Sequence, residues 1–136
     1  MRILALDVGT KTIGVAVSDE LGITANGVKT LKRVTPKGDI QELKELVVEF
    51  KPAKILIGLP YNSDGSLSKR GEQILRFSKQ IENSLSIPIV YWDESFSTVN
   101  AEKYLLEANL SRKKRKKVID KMAAVYILKE YLDSQI

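Results

Sequence analysis

The chain has 136 residues, 22 of them Lys or Arg and 17 Asp or Glu, and it contains neither cysteine nor histidine. That length fits one domain with one core, and 43% apolar residues exclude a disordered chain. Without Cys or His there is no disulfide, thiolate zinc site, thiol nucleophile or serine–histidine triad, so any chemistry must run on carboxylates, lysines, hydroxyls or a bound metal.

The N-terminus reaches Asp7 too early for a secretory signal, and no apolar run approaches the roughly 20 residues that span a bilayer. The expectation is a cytoplasmic protein with no membrane partner. Net charge is +5, but Arg112, Lys113, Lys114, Arg115, Lys116 and Lys117 form one unbroken run. Setting these six aside leaves 16 basic residues against 17 acidic ones. The basicity is thus one patch on a near-neutral body, the footprint of a polyanionic partner. Adjacent like charges repel, so residues 109–117 are expected to stay extended and mobile until they meet nucleic acid.

In chain order, residues 2–7 are a short apolar run ending in a carboxylate, residues 11–18 alternate small and β-branched side chains, and residues 23–31 form a weaker third strand. Gly9 and Gly22 punctuate them as a meander. Thr35-Pro36 supplies a cap and a first-turn proline, and Ile40, Leu43, Val47 and Phe50 follow at helical spacing until Pro52. Residues 53–59 read as a strand buried on both faces. After the turn of Pro60 to Gly65, Ile74, Phe77, Ile81 and Leu85 mark a second helix. Residues 87–92 make a fifth strand, helical sequence resumes after Ser97-Thr98, and a last helix runs from about Val118 to Leu132. The order βββαβαβα implies an α/β fold, a mixed five-stranded sheet with helices on its faces, as a single domain over 1–136.

In open α/β sheets ligands bind beyond the carboxyl ends of the strands. Asp7 and the pair Asp93-Glu94 fall there, and strand alternation lets only one of that pair face a common site. In the last helix Asp120 shares a face with Ala124, Ile127 and Tyr131, the apolar face that must pack on the sheet, with small Ala123 beside it. Oxygen-only donors suit hard cations, Mg²⁺ or Mn²⁺, which hydrolyse phosphodiesters without a protein base. Lys11 follows the first acidic turn, and Arg70 opens the helix after the Pro60 loop at the same end. Both are expected beside the site, touching phosphate. The run 112–117, three residues before Asp120, is expected to grip the rest of the nucleic acid.

Four stretches carry a family resemblance. Ala5-Leu6-Asp7-Val8-Gly9-Thr10-Lys11-Thr12-Ile13-Gly14-Val15-Ala16, Ile57-Gly58-Leu59-Pro60 with Asp64-Gly65, Asp93-Glu94-Ser95-Phe96-Ser97-Thr98, and Ile119-Asp120-Lys121-Met122-Ala123-Ala124-Val125-Tyr126-Ile127-Leu128 occur in the order found in the YqgF family. The sequence resembles that family along its whole length. Its members are RNase H-like proteins described as Holliday-junction resolvase-like or as pre-16S rRNA nucleases. The resemblance implies an RNase H-like fold, with Asp7, Glu94 and Asp120 as metal-binding and catalytic acids. It implies action on structured RNA at the 5′ end of the 16S precursor, or else on branched DNA. Two departures stand out: Ser95 replaces the arginine usual in the third motif, and the fourth strand ends in Gly58-Leu59-Pro60 without the carboxylate of the junction resolvases.

Two other classes compete. Asp7-Val8-Gly9-Thr10 resembles the phosphate-binding hairpin of the actin and sugar-kinase type, but those enzymes close two domains over a nucleotide. The other is a non-catalytic nucleic-acid-binding module. Monomer and homodimer both stay open, junction cleavage calling for a two-fold dimer.

Overall fold

The computed structural model describes residues 1–94 and 112–135, with side chains described outside 112–120. The elements are β1 (Ile3–Val8), β2 (Thr12–Ser18), β3 (Ala25–Lys32), α1 (Pro36–Phe50), β4 (Lys54–Leu59), α2 (Lys69–Leu85), β5 (Ile89–Asp93) and α3 (Arg112–Ser134). One five-stranded sheet runs in the order β3-β2-β1-β4-β5. The meander β1–β2–β3 pairs antiparallel, while β4 joins β1 and β5 joins β4 in parallel. This is the mixed sheet expected, with strand ends within about two residues of those read from the pattern, the ordinary spread for such boundaries.

Period-2 alternation divides the sheet into two apolar faces. Leu4, Leu6 and Val8 of β1 join Ile55, Ile57 and Leu59 of β4 under α1 and α2, which contribute Leu43, Leu46, Ile74, Phe77 and Ile81. Ile3 and Ala5 of β1 join Ala16 and Leu56 on the other face under α3, which contributes Ala124, Ile127, Leu128 and Tyr131. The helix face that carries Asp120 in its repeat is therefore the face that docks on the sheet.

Each helix on the first face starts from a capping hydroxyl: Thr35 Oγ1 accepts from the Gly38 amide and Ser68 Oγ from that of Gly71, at 3.0 Å each. Both end in a left-handed residue, Lys51 and Ser86. The direction of α3 follows from its contacts. Lys54 Nζ, at the start of β4, donates to the Tyr131 hydroxyl at 2.9 Å, whereas Ile127 packs on Gly58 near the end of β4. The helix thus runs antiparallel to β4, and its residues before Ile127 extend past the carboxyl ends of the strands. Trp92 Nε1 donates to Glu130 Oε2 at 3.1 Å and its ring meets Tyr131 edge-on, pinning the C-terminal half.

The expectation of an extended basic segment is corrected in part. Residues 112–117 are the first turns of α3, which starts at Arg112 rather than near Val118. Six cations at a helix N-terminus oppose the macrodipole. Lys and Arg have high intrinsic helix propensity, however, and the run continues directly into a helix already docked on the sheet. Residues 109–111 lie outside the described residues, as does the helical sequence expected after Thr98. Among the described residues no helix is long and apolar enough to cross a membrane.

Leu56 is fully buried between β4 and α3. Truncation to alanine removes that contact and leaves a cavity, so Leu56→Ala is expected to lower unfolding free energy by about 2–5 kcal/mol in urea titrations. Val34→Ala, at a site 82% exposed, is expected to stay within about 0.5 kcal/mol of the parent.

Candidate active site

Asp7 continues the β1 alternation of Ile3 and Ala5, which places it on the α3 face at the carboxyl end of the strand. On β5, Val90 and Trp92 take the same face, so Glu94 falls there too. Asp93 takes the opposite parity and is exposed. The Glu94 amide still donates to the Leu59 carbonyl at 3.2 Å, so the ladder holds this residue in register with the end of β4. Of the Asp93-Glu94 pair, it is Glu94 that turns toward Asp7.

Gly58 makes room for that turn. A Cβ at this position would lie 2.6 Å from Glu94 Oε2, 3.0 Å from Glu94 Cβ and 2.7 Å from Ile127 Cδ1. The space over Gly58 is occupied by the Glu94 side chain, leaning in from the neighbouring strand. Its Oε2 is buried and accepts from no donor. Burial foremost, then the Asp7 charge and a hydrogen bond to Asp7, push the Glu94 carboxyl up to about 9. Burial and the facing Asp7 charge thus both disfavour the ionised Glu94 carboxyl, and a cation between the two would offset that repulsion.

Asp120 sits in α3, seven residues before Ile127 and so on the side of the helix run that passes the strand ends. Its side chain lies outside those described, as does Ser95. Asp7 and Glu94 are brought together, and the third acid is placed by its backbone alone. Among the described residues no cluster of three ligating side chains forms. The pair nonetheless fits a hard divalent ion, because its donors are all oxygen and one of them is buried without a partner.

Arg70 stands at the same edge. Its Nη2 donates to the Val8 carbonyl at 2.9 Å and its Nη1 to Gln73 Oε1 at 2.9 Å. Burial and the Arg33 charge lower its pKa while the Glu94 and Asp7 charges oppose that shift, so the guanidinium lies within electrostatic reach of both acids. Lys11 is exposed in the β1–β2 turn. Arg33 was not among the residues singled out by sequence. Its Nη1 donates to the Gly9 carbonyl at 2.8 Å, next to the carbonyl that Arg70 holds. A lone arginine after Lys32 in a polar stretch carries no signal of this, since the contact spans 24 residues.

Two solved resolvases share this fold. The chain superposes on Thermus thermophilus RuvC, solved with a Holliday junction substrate, with a TM-score of 0.61 at 15% identity, covering 99% of this chain and 96% of that one. It superposes on the Fowlpox virus resolvase, solved with Holliday junction DNA, with a TM-score of 0.62 at 14% identity, covering 100% and 99%. The fold is thus that of the RNase H-like resolvases. Within that class the chain belongs to the RuvX family, described as Holliday junction resolvase, whose model matches residues 1–134. This is the family to which the four motifs pointed. A relative from Clostridioides difficile (strain 630) is 55% identical over 135 residues, spanning 99% of this chain and 96% of its own. One from Bacillus pumilus (strain SAFR-032) is 53% identical over 136 residues, spanning 98% and 99%. Both are named "Putative pre-16S rRNA nuclease".

The proton on Glu94 sets a pH dependence. With the carboxyl raised from 4.5 to about 9, the folded metal-free protein keeps a proton that the unfolded chain has released between those values. Stability then falls as pH rises through that window and levels off above it. Asp7→Asn removes the neighbouring charge, so the variant is expected to melt at higher temperature than the parent at about pH 8 in chelator, with a flatter melting profile from pH 5 to 9. Parallel profiles for the two proteins would contradict the pairing of Asp7 with Glu94.

Proposed function

We propose that this chain is a divalent-metal-dependent endonuclease of structured RNA that processes the 5′ end of precursor 16S rRNA in the cytoplasm, working as a single domain. The observation that carries the reading is the buried, unpartnered Glu94 oxygen set against Asp7 at the carboxyl end of a resolvase-type sheet. Relatives that share about half their residues with this chain over nearly its full length, and carry the rRNA nuclease name, support RNA as the substrate.

Asp7, Glu94 and Asp120 would hold Mg²⁺ or Mn²⁺, and such an ion when bound activates water and stabilises the leaving oxygen of a phosphodiester. Glu94 must give up its proton to serve as a ligand, so the proton and the cation compete for one place and affinity for metal rises with pH. Arg70 and Lys11 would meet phosphates at the same edge. Arg70 offers a planar fork already steadied by Val8 and Gln73, and Lys11 a mobile point charge. No histidine is needed in such a scheme, consistent with a chain that has none.

The basic run extends the contact surface. Arg112, Lys113, Lys114, Arg115, Lys116 and Lys117 form the first turns of α3 rather than an extended strand. Each phosphate they meet releases counterions, so binding weakens steeply with salt. Replacing Lys113, Lys114, Lys116 and Lys117 with glutamine is expected to lower RNA affinity without sequence preference and to reduce the slope of log affinity against log salt by up to about 4 units. Filter binding at several salt concentrations measures both.

Branched DNA is the second reading, favoured by the resolvase fold alone. Cleavage of a precursor-rRNA fragment and of a four-way DNA junction, side by side in Mn²⁺ or Mg²⁺, separates the two. Wild type is expected to cut the RNA, and Asp7→Asn to lose at least 10³-fold in kcat, given the share of the barrier that ion-assisted hydrolysis supplies. Cutting of the junction alone would reassign the substrate. Binding without cutting of either would leave a non-catalytic module.

A further inference from the structure

We infer that Arg33 is a positioning residue for the acidic pair, acting through the β1–β2 turn; the inference rests on the assignment of Asp7 and Glu94 as metal ligands. Asp7 is followed by Val8 and Gly9, and the carbonyls of both accept from guanidinium groups, Val8 from Arg70 and Gly9 from Arg33. Within the turn, the Gly9 amide donates to the Thr12 carbonyl at 2.8 Å, and the Arg33 amide donates to that of Lys11 at 2.8 Å. Gly9 has no room for a side chain, since a Cβ would stand 2.9 Å from the Thr12 oxygen. The turn is therefore tied to Arg33 by both its backbone and its side chain.

Arg33 is itself held on two further elements. Its Nε donates to Asp39 Oδ2 at 3.1 Å, and Asp39 is only 5% exposed on α1, where its Oδ1 also accepts from the Val34 amide at 3.1 Å. The guanidinium lies over the Phe77 ring of α2, 4.6 Å from its centroid. One planar group thus links α1, α2 and the turn after Asp7. The link has work to do. Two carboxyls facing each other at the strand ends repel when both are ionised, and an outward swing of the turn that follows Asp7 would part them. Side chains that orient metal ligands from behind typically change metal affinity about 10–100-fold when removed. Arg33 does so at one remove, through the backbone that carries Asp7. Lysine cannot replace it, because a single ammonium lacks the fork that reaches Asp39 and Gly9 together.

The test compares wild type with Arg33→Lys in three measurements. These are amide hydrogen exchange at Gly9 and at Leu56, Mn²⁺ affinity by calorimetry, and kcat and KM on a precursor-rRNA fragment. Expected are at least tenfold faster exchange at Gly9 with Leu56 unchanged, Mn²⁺ binding about 10–100-fold weaker, and a loss in kcat with KM for RNA retained. Exchange that rises equally at Gly9 and Leu56, or at neither, overturns the inference, as does unchanged Mn²⁺ affinity beside a loosened turn. If Arg33→Lys does not fold, Arg33→Met with Asp39→Leu removes both buried charges together and is read the same way. A wild type that binds no Mn²⁺ and cuts no RNA sinks the metal-nuclease reading instead, and Gly9 exchange against Leu56 then decides alone whether Arg33 holds the turn.

Discussion

Two carboxyl groups held against each other at the end of a sheet are the interaction around which this molecule is arranged. Glu94 is mostly withdrawn from water and lies beside Asp7, so in the absence of a cation the pair keeps a proton near neutrality. Such an arrangement is costly, and it persists only because the surrounding backbone is over-determined. The β4–β5 ladder continues to the Glu94 amide, the β1–β2 turn is closed by its own hydrogen bonds, and two arginines fasten the carbonyls that follow Asp7.

The two faces of the sheet divide the labour. Beneath α1 and α2 the core is mostly apolar, with Asp39 and Ser78 buried at its edge, and it anchors the two arginines through Asp39, Phe77 and the start of α2. The α3 face is where the acids emerge, and there packing has been thinned. Ala5, Ala16, Ala123 and Ala124 are all fully buried, and Gly58 carries no side chain. Small residues let α3 approach closely while leaving a space that Glu94 enters. The helix is fixed at its far end by Lys54, Trp92 and Glu130, and its run carries the basic residues and Asp120 past the strand ends.

An arginine expected in the third motif is replaced by Ser95, yet the site is not short of guanidinium groups. Arg70 and Arg33 both hold the turn after Asp7, and the Arg33 charge that disfavours the Arg70 cation is opposed there by the charges of Glu94 and Asp7. A cation bound between Asp7 and Glu94 would take over part of that balance, so metal uptake and the hold of Arg70 on the turn are electrostatically linked.

Much of the fold is legible along the chain. The meander, the two capped helices and the buried β4 follow from local alternation, from Thr35-Pro36, and from apolar residues at spacings of three and four, because those periods are properties of the backbone itself. Asp7 and the pair Asp93-Glu94 could be nominated because a carboxylate closing an apolar strand marks the end where ligands bind; parity admits only one of two adjacent acids, and the choice of Glu94 comes from the family resemblance. Local sequence misjudged the basic run, since repulsion among its six cations was weighed without the docked helix that extends it. Arg33 was invisible, because nothing near it in the chain hints at a partner 24 residues away. That Glu94 could stand in for the acid absent from the end of β4 was readable from the sequence, but the space over Gly58 that its side chain enters exists only once β4, β5 and α3 are assembled. Periodicity and parity, being local, were determined by the sequence. The burial of Glu94 beside Asp7, and the arginines that fasten the carbonyls after Asp7, were decided by tertiary structure, because burial and charge proximity arise only from long-range packing.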